Sequence, residues 1–564
     1  MITVRIKKAK FMPDDYSAYL TFPYNQNVID TVKKLRYRSW IKGTKEWEIR
    51  IEDLPVLFDA FPNMDFDVSG RYVELNPTLN FNLDTFSFKT QCYKHQKEGF
   101  KYGMTHTKWL LGDEQGLGKT KQVIDIAVAK KQAYGYKHCL IVCGVNGLKW
   151  NWQNEVHTHS NEEAHILGQK VRKKTGEIYI GSNKDKLNDI MCLDSISAYF
   201  IITNIETLRD DKICSKIEEY LHLDDSDNRK INMIAADECH KMKNPSSQQG
   251  KAFITLDADC RIAMTGTPLM NSPLDLYIIF RWLGYEKHAF YSFKNYYAVM
   301  GGYGGYEIVG YKHLDELEEK LQSIMLRRLK KDVLDLPEKT YVNEYVEMTA
   351  KQAIIYKEIK AEIKSNIDMI SVSPNPLAEM IRLRQATGYT GILSSQVQES
   401  AKLDRMEELI ADALANKQSV IVFSNWSKIT DEVERRLSNI SYRCITGDTA
   451  DSDRQKFVDE FQAGEADVMI GTTSALGTGL TLNRASVIIL LDEPWNMATR
   501  EQAVDRAHRI GQTNAVTIYT IIAKGTIDER IHNLVYEKGE MSARIVDGNG
   551  TVINKKELVD YLLE

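Results

Sequence analysis

DEQGLGKT, residues Asp113–Thr120, follows the apolar run Trp109-Leu110-Leu111 and precedes a helical pattern, Val123, Ile126, Ala127. Strand, glycine-rich turn and helix start are the context in which a sequence cradles a phosphate chain. The turn's backbone N–H groups and the helix N-terminus supply positive potential there. In that arrangement Lys119 reaches the β/γ-phosphates of ATP and Thr120 holds Mg²⁺. Asp113 stands where such loops usually place their first glycine. The stretch therefore predicts an α/β domain built around a nucleotide.

Outward from this loop, the bulk properties set limits. At 564 residues the chain is too long for one core, so several domains are expected. No apolar run is long enough to span a membrane, and Met1 opens no signal-peptide pattern. The eight cysteines form no CxxC pair, which argues against zinc and for a reducing cytosolic or nuclear compartment. A formal net charge of -5 gives no global nucleic-acid signature, so any polyanion site must be a local patch. The compact length fits a bacterial, archaeal or viral protein, and a monomer is expected.

Residues 1–80 read as a small α+β unit. Its strands are Thr3–Ala9, Ala18–Phe22 and Trp47–Ile51, and its helices begin near Asn27 and after Asp53. Asn76-Pro77-Thr78 reads as a linker. Over 85–275 buried runs (His138–Cys143, Tyr199–Thr203, Met233–Ala236, Arg261–Met264) alternate with helical segments, the signature of a parallel sheet covered on both faces. Residues 276–400 read as mostly helical. Strand-helix alternation resumes over 401–545, and 546–564 is expected to pack as a tail on a lobe. The predicted architecture is two α/β lobes with a helical middle.

Three further blocks carry chemistry. In Met233–His240, MIAADECH, an apolar strand runs into Asp237-Glu238. A carboxylate at that strand end can bind Mg²⁺, and its neighbour can polarise an attacking water. Ala263–Pro268, AMTGTP, places small hydroxyls at another strand tip. In Gln502–Gln512, QAVDRAHRIGQ, a helix would set Arg506 and Arg509 on one face, where two guanidinium groups can clamp phosphoryl oxygens.

These blocks, in this order, resemble superfamily 2 helicases, and in detail the Swi2/Snf2 family of ATP-dependent DNA translocases. DEQGLGKT is similar to the family's DEMGLGKT, which makes Asp113 a family mark. DECH, AMTGTPLMNSP, MLRRLKKDVLDLPEKT (Met325–Thr340) and, more weakly, LRQATGYTGIL (Leu383–Leu393) follow in the family's order. SAKLDRMEEL, VIVFSNW, TGDT, GTTSALGTGLTL, LDEPWN and DRAHRIGQ complete it. The resemblance covers about 88–545 and implies two RecA-like lobes with helical insertions. It implies that Gln96 reads the adenine edge, and that Asp113, Gly116, Gly118, Lys119 and Thr120 bind nucleotide and Mg²⁺. Asp237 would hold Mg²⁺, Glu238 would be the general base, and Thr265 and Thr267 would couple hydrolysis to movement. Arg506 and Arg509 would reach across from the second lobe, with Gly479 and Gln502 near the nucleotide. DNA contacts would come from Lys149 and Trp152 in the first lobe, and from Asn425, Trp426, Thr473 and Trp495 in the second.

The N-terminal stretch VIDTVKKLRYRSWIKGTKEWEIRIEDLPVLFDAF is similar to the HARP module of the annealing-helicase branch of this family. Arg36, Arg38, Trp40 and Trp47 lie in a basic strip interleaved with aromatics, which suits phosphate contact plus base stacking. The resulting expectation is a DNA-dependent ATPase moving on duplex or forked DNA, with fork remodelling or strand annealing as its activity. The alternatives are an RNA helicase and a motor that displaces a DNA-bound protein partner.

Overall fold

The computed structural model describes residues 2–8, 16–35, 38–61, 64, 66–70, 86–174, 176, 178–242, 244–267, 272–301, 307–334, 336–366, 378–476, 480–495, 497–536 and 563. The linker expected at Asn76–Thr78, and the site residues Arg36 and Gly479, lie outside them.

The N-terminal unit is a mixed sheet of β1 (Ile2–Lys8), β2 (Tyr16–Thr21), β3 (Arg38–Ile41), β4 (Glu46–Arg50) and β5 (Phe66–Gly70), in the order β3-β4-β2-β1-β5. Helix α1 (Gln26–Lys34) starts where the Asn25 side chain accepts from the N–H groups of Asn27 and Val28. Val28 and Val32 of α1, and Leu54 and Leu57 of α2 (Leu54–Ala60), close one core with Ile2, Val4, Leu20 and Ile49. Arg50 ties this unit to the next lobe. Its guanidinium donates to the Tyr285 hydroxyl at 2.7 Å, and Tyr285 donates to the carbonyl of Lys108 at 3.0 Å.

Lobe 1 contributes β6 (Lys108–Leu111), β7 (His138–Cys143), β8 (Ala164–Ile166), a hairpin of β9 (Gln169–Val171) and β10 (Ile178–Ile180), β11 (Phe200–Asn204), β12 (Ile231–Asp237), β13 (Cys260–Met264), a second hairpin of β14 (Ala298–Gly301) and β15 (Glu307–Tyr311), and β16 (Met325–Leu326). Seven of these strands form a parallel sheet, β16-β6-β13-β12-β7-β11-β8. Every residue of β7, β11, β12 and β13 is buried. Alternate side chains serve two cores: Leu140, Val142 and Ile234 on one face, Cys139, Ile141 and Met233 on the other. That double coverage is why these strands read as unbroken apolar runs. Helices α3 (Lys94–Thr105), α4 (Lys119–Tyr134) and α5 (Leu148–His159) flank the nucleotide loop.

Lobe 2 is a second parallel sheet of β17 (Lys339–Val346), β18 (Ser419–Ser424), β19 (Tyr442–Ile445), β20 (Val468–Thr472), β21 (Ala485–Leu490) and β22 (Val516–Ala523), in the order β17-β22-β21-β18-β20-β19. Its first strand falls inside the segment expected to be helical. KTYVNEYV alternates in exposure along an edge and is rich in Thr, Tyr and Val, so the sheet of lobe 2 takes its edge strand from Lys339–Val346, ahead of the expected start near Ala401. Met325-Leu326, too short to read as a strand, extends the opposite edge of lobe 1. The segment between them thus joins the two sheets edge to edge. Leu563 is buried with Tyr356, Ile359 and Met380 against lobe 2. Among the described residues no helix is long and apolar enough to cross a membrane.

Candidate nucleotide site at the lobe interface

β6 runs through Gly112 into the loop, and α4 leaves it at Lys119. The turn needs glycine at two points. Gly116 has φ +83° and Gly118 φ +73°, where residues bearing a Cβ are strained. A Cβ on Gly118 would stand 2.3 Å from Gln96 Nε2, and one on Gly116 would stand 3.0 Å from Arg509 Cβ. Lys119 Nζ donates to the carbonyl of Asp113 at 2.8 Å. Burial lowers the Lys119 pKa, and the charges of Glu238, Asp113 and Asp237 oppose that shift.

Two expected nucleotide contacts have other partners. Asp113 is fully buried, and its carboxylate accepts from Arg328 Nε at 2.9 Å and from Gln122 Nε2 at 3.0 Å. It braces the loop from beneath and does not line the cleft. Asp113→Ala would leave the Arg328 guanidinium, whose side chain is 11% exposed, without its carboxylate. The expected result is a loss of about 3–5 kcal/mol from lobe 1, read as an earlier thermal transition without nucleotide. A residue that only touched nucleotide would leave that transition in place. Gln96 stands behind Gly118, accepting from the Tyr93 N–H at 3.1 Å and donating to the Leu117 carbonyl at 3.3 Å.

Asp237 ends β12, and its carboxylate accepts from the Trp152 indole at 2.8 Å and from the Glu238 N–H at 2.9 Å. Burial, reinforced by the charge of Glu238, pushes the Asp237 carboxyl up to about 6. Glu238 has φ +49°, a left-handed conformation unusual for a residue with a Cβ. Its buried Oε2 lies 3.2 Å from His240 Nδ1 and accepts no hydrogen bond. Strain and an unsatisfied acceptor together mark a functional position. From here contacts run to the other lobe. His240 Nδ1 is 2.9 Å from Thr265 Oγ1, which accepts from the Thr267 N–H at 3.1 Å. Thr267 Oγ1 accepts from Gln502 Nε2 at 3.4 Å.

The cleft between the lobes is partly open to solvent. Lobe 1 lines it with Gln115, Gly116, Gly118, Lys119, Thr120, Leu148, Asn151, Asp237 and Glu238, and lobe 2 with Asp505, Arg506 and Arg509. The arginines do not share a helical face. The helix Met497–Val504 stops before them, and a run of turns that ends at Gly511, φ +96°, carries both. Arg506 Nη2 donates to Gln115 Oε1 at 3.3 Å, and Arg509 Nη1 to Thr481 Oγ1 at 2.7 Å. Burial first, and then the charge of Arg509, lowers the Arg506 pKa to about 10. Two desolvated guanidinium groups side by side favour an anion between them. Sequence reading missed Leu148 and Asn151, which line the cleft, and the true role of Trp152. All three lie at i, i+3, i+4 spacing in the first turns of α5, a signal that was present.

Three expected DNA contacts are buried: Lys149 is 3%, Trp152 0% and Thr473 4% exposed. Trp152 is committed to Asp237, and Thr473 Oγ1 donates to the Ser424 carbonyl at 3.3 Å. Asn425, Trp426 and Trp495 are half-buried. The two tryptophans flank Arg384, whose guanidinium lies 5.2 and 4.8 Å from their ring centres. In the N-terminal unit Arg38 and Trp40 are exposed, while Trp47 packs partly on the core with its ring 5.2 Å from that of Trp40.

The SNF2-related domain matches residues 95–392, and the helicase conserved C-terminal domain matches 401–511. Protein CHROMATIN REMODELING 24 of Arabidopsis thaliana is 26% identical over 567 residues, covering 88% of this chain and 51% of that protein. An uncharacterized ATP-dependent helicase of Mycoplasma pneumoniae is 28% identical over 477 residues, covering 81% and 42%. The chain therefore spans about half the length of such relatives, or less. The structure of the Sulfolobus solfataricus SWI2/SNF2 ATPase core in complex with dsDNA is 23% identical, covering 83% of this chain and 96% of that one, with a TM-score of 0.36. More than half of the chain matches the SNF2-related domain in one block, with the helicase C-terminal domain taking up where it ends, and the chain belongs to the SWI2/SNF2 family of ATP-dependent helicases and translocases.

Proposed function

We propose that this chain is a DNA-dependent ATPase that uses opening and closing of the interlobe cleft to move along duplex or forked DNA. The observation that carries the reading is that Lys119, Asp237 and Glu238 of lobe 1 and Arg506 and Arg509 of lobe 2 line the same cleft. Lys119 would hold the β/γ-phosphates, Glu238 would orient and deprotonate the attacking water, and the arginines would neutralise charge on the transferring group. The assignment of Gln96 to the adenine edge rests on the family resemblance.

Mg²⁺ fits the donors present. Asp237 and the Thr120 hydroxyl are hard oxygen ligands on one cleft wall. Among the described residues no group of three or more His, Cys, Asp or Glu could hold a metal alone, so phosphate and water oxygens would complete the shell, as Mg²⁺ prefers. The ion would supply charge neutralisation along the phosphates.

For DNA, the support is the exposed Arg38, Trp40, Lys42 and Lys45 on β3 and the turn that follows it, and the Trp426–Arg384–Trp495 stack on lobe 2. The resemblance of the N-terminal stretch to the HARP module supports forks as the preferred substrate, and fork remodelling or annealing as the activity. The test is an ATPase titration with single-stranded, duplex and forked DNA and with RNA, on the full chain and on one lacking Met1–Asn80. Duplex and forked DNA should stimulate most, and the shortened chain should lose its fork preference. Stimulation by RNA alone would overturn the DNA reading, and equal fork stimulation in both proteins would remove the N-terminal role.

A further inference from the structure

We propose that Lys330 is a positioning residue that sets Arg506 and Arg509 on the cleft by gripping the phosphate loop and the arginine turn at once. The kinetic part of the proposal rests on the ATPase reading above.

Lys330 makes one hydrogen bond towards lobe 1 and two towards lobe 2. Towards lobe 1, its backbone N–H donates to Glu114 Oε2 at 2.7 Å, inside the phosphate loop, and its Cε lies 3.3 Å from the place a Gly116 Cβ would occupy. Towards lobe 2, its Nζ donates to Asp505 Oδ1 at 2.5 Å and to the His508 carbonyl at 2.8 Å. Asp505 immediately precedes Arg506, and His508 immediately precedes Arg509. One ammonium group thus fixes the turn at the two points from which the guanidinium groups depart.

The grip is anchored. Arg327 Nη1 donates to the carbonyls of Gly112 at 3.0 Å and Gly266 at 3.2 Å, and Glu114 N–H donates to the Arg328 carbonyl at 3.0 Å. Lys330 therefore moves with lobe 1. The ring of His508 is seated in turn, with Nε2 2.8 Å from the Pro337 carbonyl. Both side chains of the Lys330–Asp505 pair are 5% exposed or less. Burying two charges is costly and adds little net stability, whereas it fixes register. That is the property needed to place a guanidinium against a phosphoryl group, where about 1 Å of misplacement can cost about 10²-fold in rate.

The experiment compares Lys330→Met, which keeps the packed stem, with the double variant Lys330→Met/Asp505→Asn, which leaves no buried unpaired charge and so guards against misfolding. Steady-state ATP hydrolysis is read with saturating DNA, each variant also carrying Arg506→Ala. Loss of the grip should lower kcat by about 10²-fold in both variants, with KM for ATP within about threefold of wild type in Lys330→Met, which removes no cleft-lining side chain. Arg506→Ala should then cost far less in the Lys330→Met background than in wild type. A folded variant with kcat within about twofold of wild type, or effects of Lys330→Met and Arg506→Ala that simply multiply, would overturn the proposal. Interlobe distance between labels at the exposed positions Lys212 and Gln455 gives a second readout, free of catalysis. It should lengthen or broaden in both Lys330 variants, and an unchanged distribution would overturn the grip. If wild type hydrolyses no ATP with any nucleic acid, the ATPase reading fails, and this distance alone decides the grip.

Discussion

Glu238→Gln is expected to lower DNA-stimulated ATP hydrolysis by about 10²–10⁴-fold while nucleotide still binds. The Glu238 side chain sits on the cleft wall beside Asp237, with a buried oxygen that accepts no hydrogen bond. Protein interiors rarely leave such an acceptor unused, and a water molecule is the natural donor to it. The backbone at φ +49° holds the carboxylate in a conformation that costs energy, at the head of a turn in which the Glu238 carbonyl accepts from the Lys241 N–H at 2.9 Å. Gln keeps the shape and the hydrogen-bonding reach but cannot take a proton. Single-turnover phosphate release should therefore collapse, with equilibrium affinity for a fluorescent nucleotide close to wild type. Full hydrolysis by this variant would remove Glu238 from the chemistry.

Arg506→Ala should reduce turnover by about 10³–10⁵-fold, the range of a lost arginine finger. Arg506 is 8% exposed, and burial together with Arg509 holds its pKa down to about 10. The site thus stores two poorly solvated cations that gain most when negative charge accumulates between the lobes. Arg506→Lys should recover little, because an ammonium cannot reproduce the planar fork. The measurement is kcat at saturating ATP and DNA, paired with nucleotide affinity. A loss confined to KM would make Arg506 a binding residue instead.

Both lobes were legible in the sequence for one physical reason. Strands such as Ile231–Asp237 are covered on both faces, so burial writes itself as an apolar run. The phosphate loop was legible through its glycines, whose positive φ values other residues tolerate poorly. Elsewhere local pattern misled. Arg506 and Arg509 sit three apart and suggest a helical face, yet the helix ends at Val504 and turns carry them. Trp152 and Lys149 were expected on DNA from the family resemblance alone, whereas α5 buries both and turns Trp152 onto the Asp237 carboxylate. Asp113 looked like part of the nucleotide cradle, and its actual partner, Arg328, lies 215 residues away.

The segment that adds β16 to one sheet and β17 to the other has a kinetic meaning. The chain leaves the sheet of lobe 1 at Leu326, stays held to lobe 1 through Arg327, Arg328 and Lys330, and enters the sheet of lobe 2 at Lys339, so the leash between the lobes is no longer than residues 331–338. Fully extended, such a leash reaches only about 30 Å. Under the proposed opening and closing of the cleft, closure is consequently a first-order event. The arginines meet the phosphate loop at an effective concentration set by the length of that leash, and not by how much protein the cell contains.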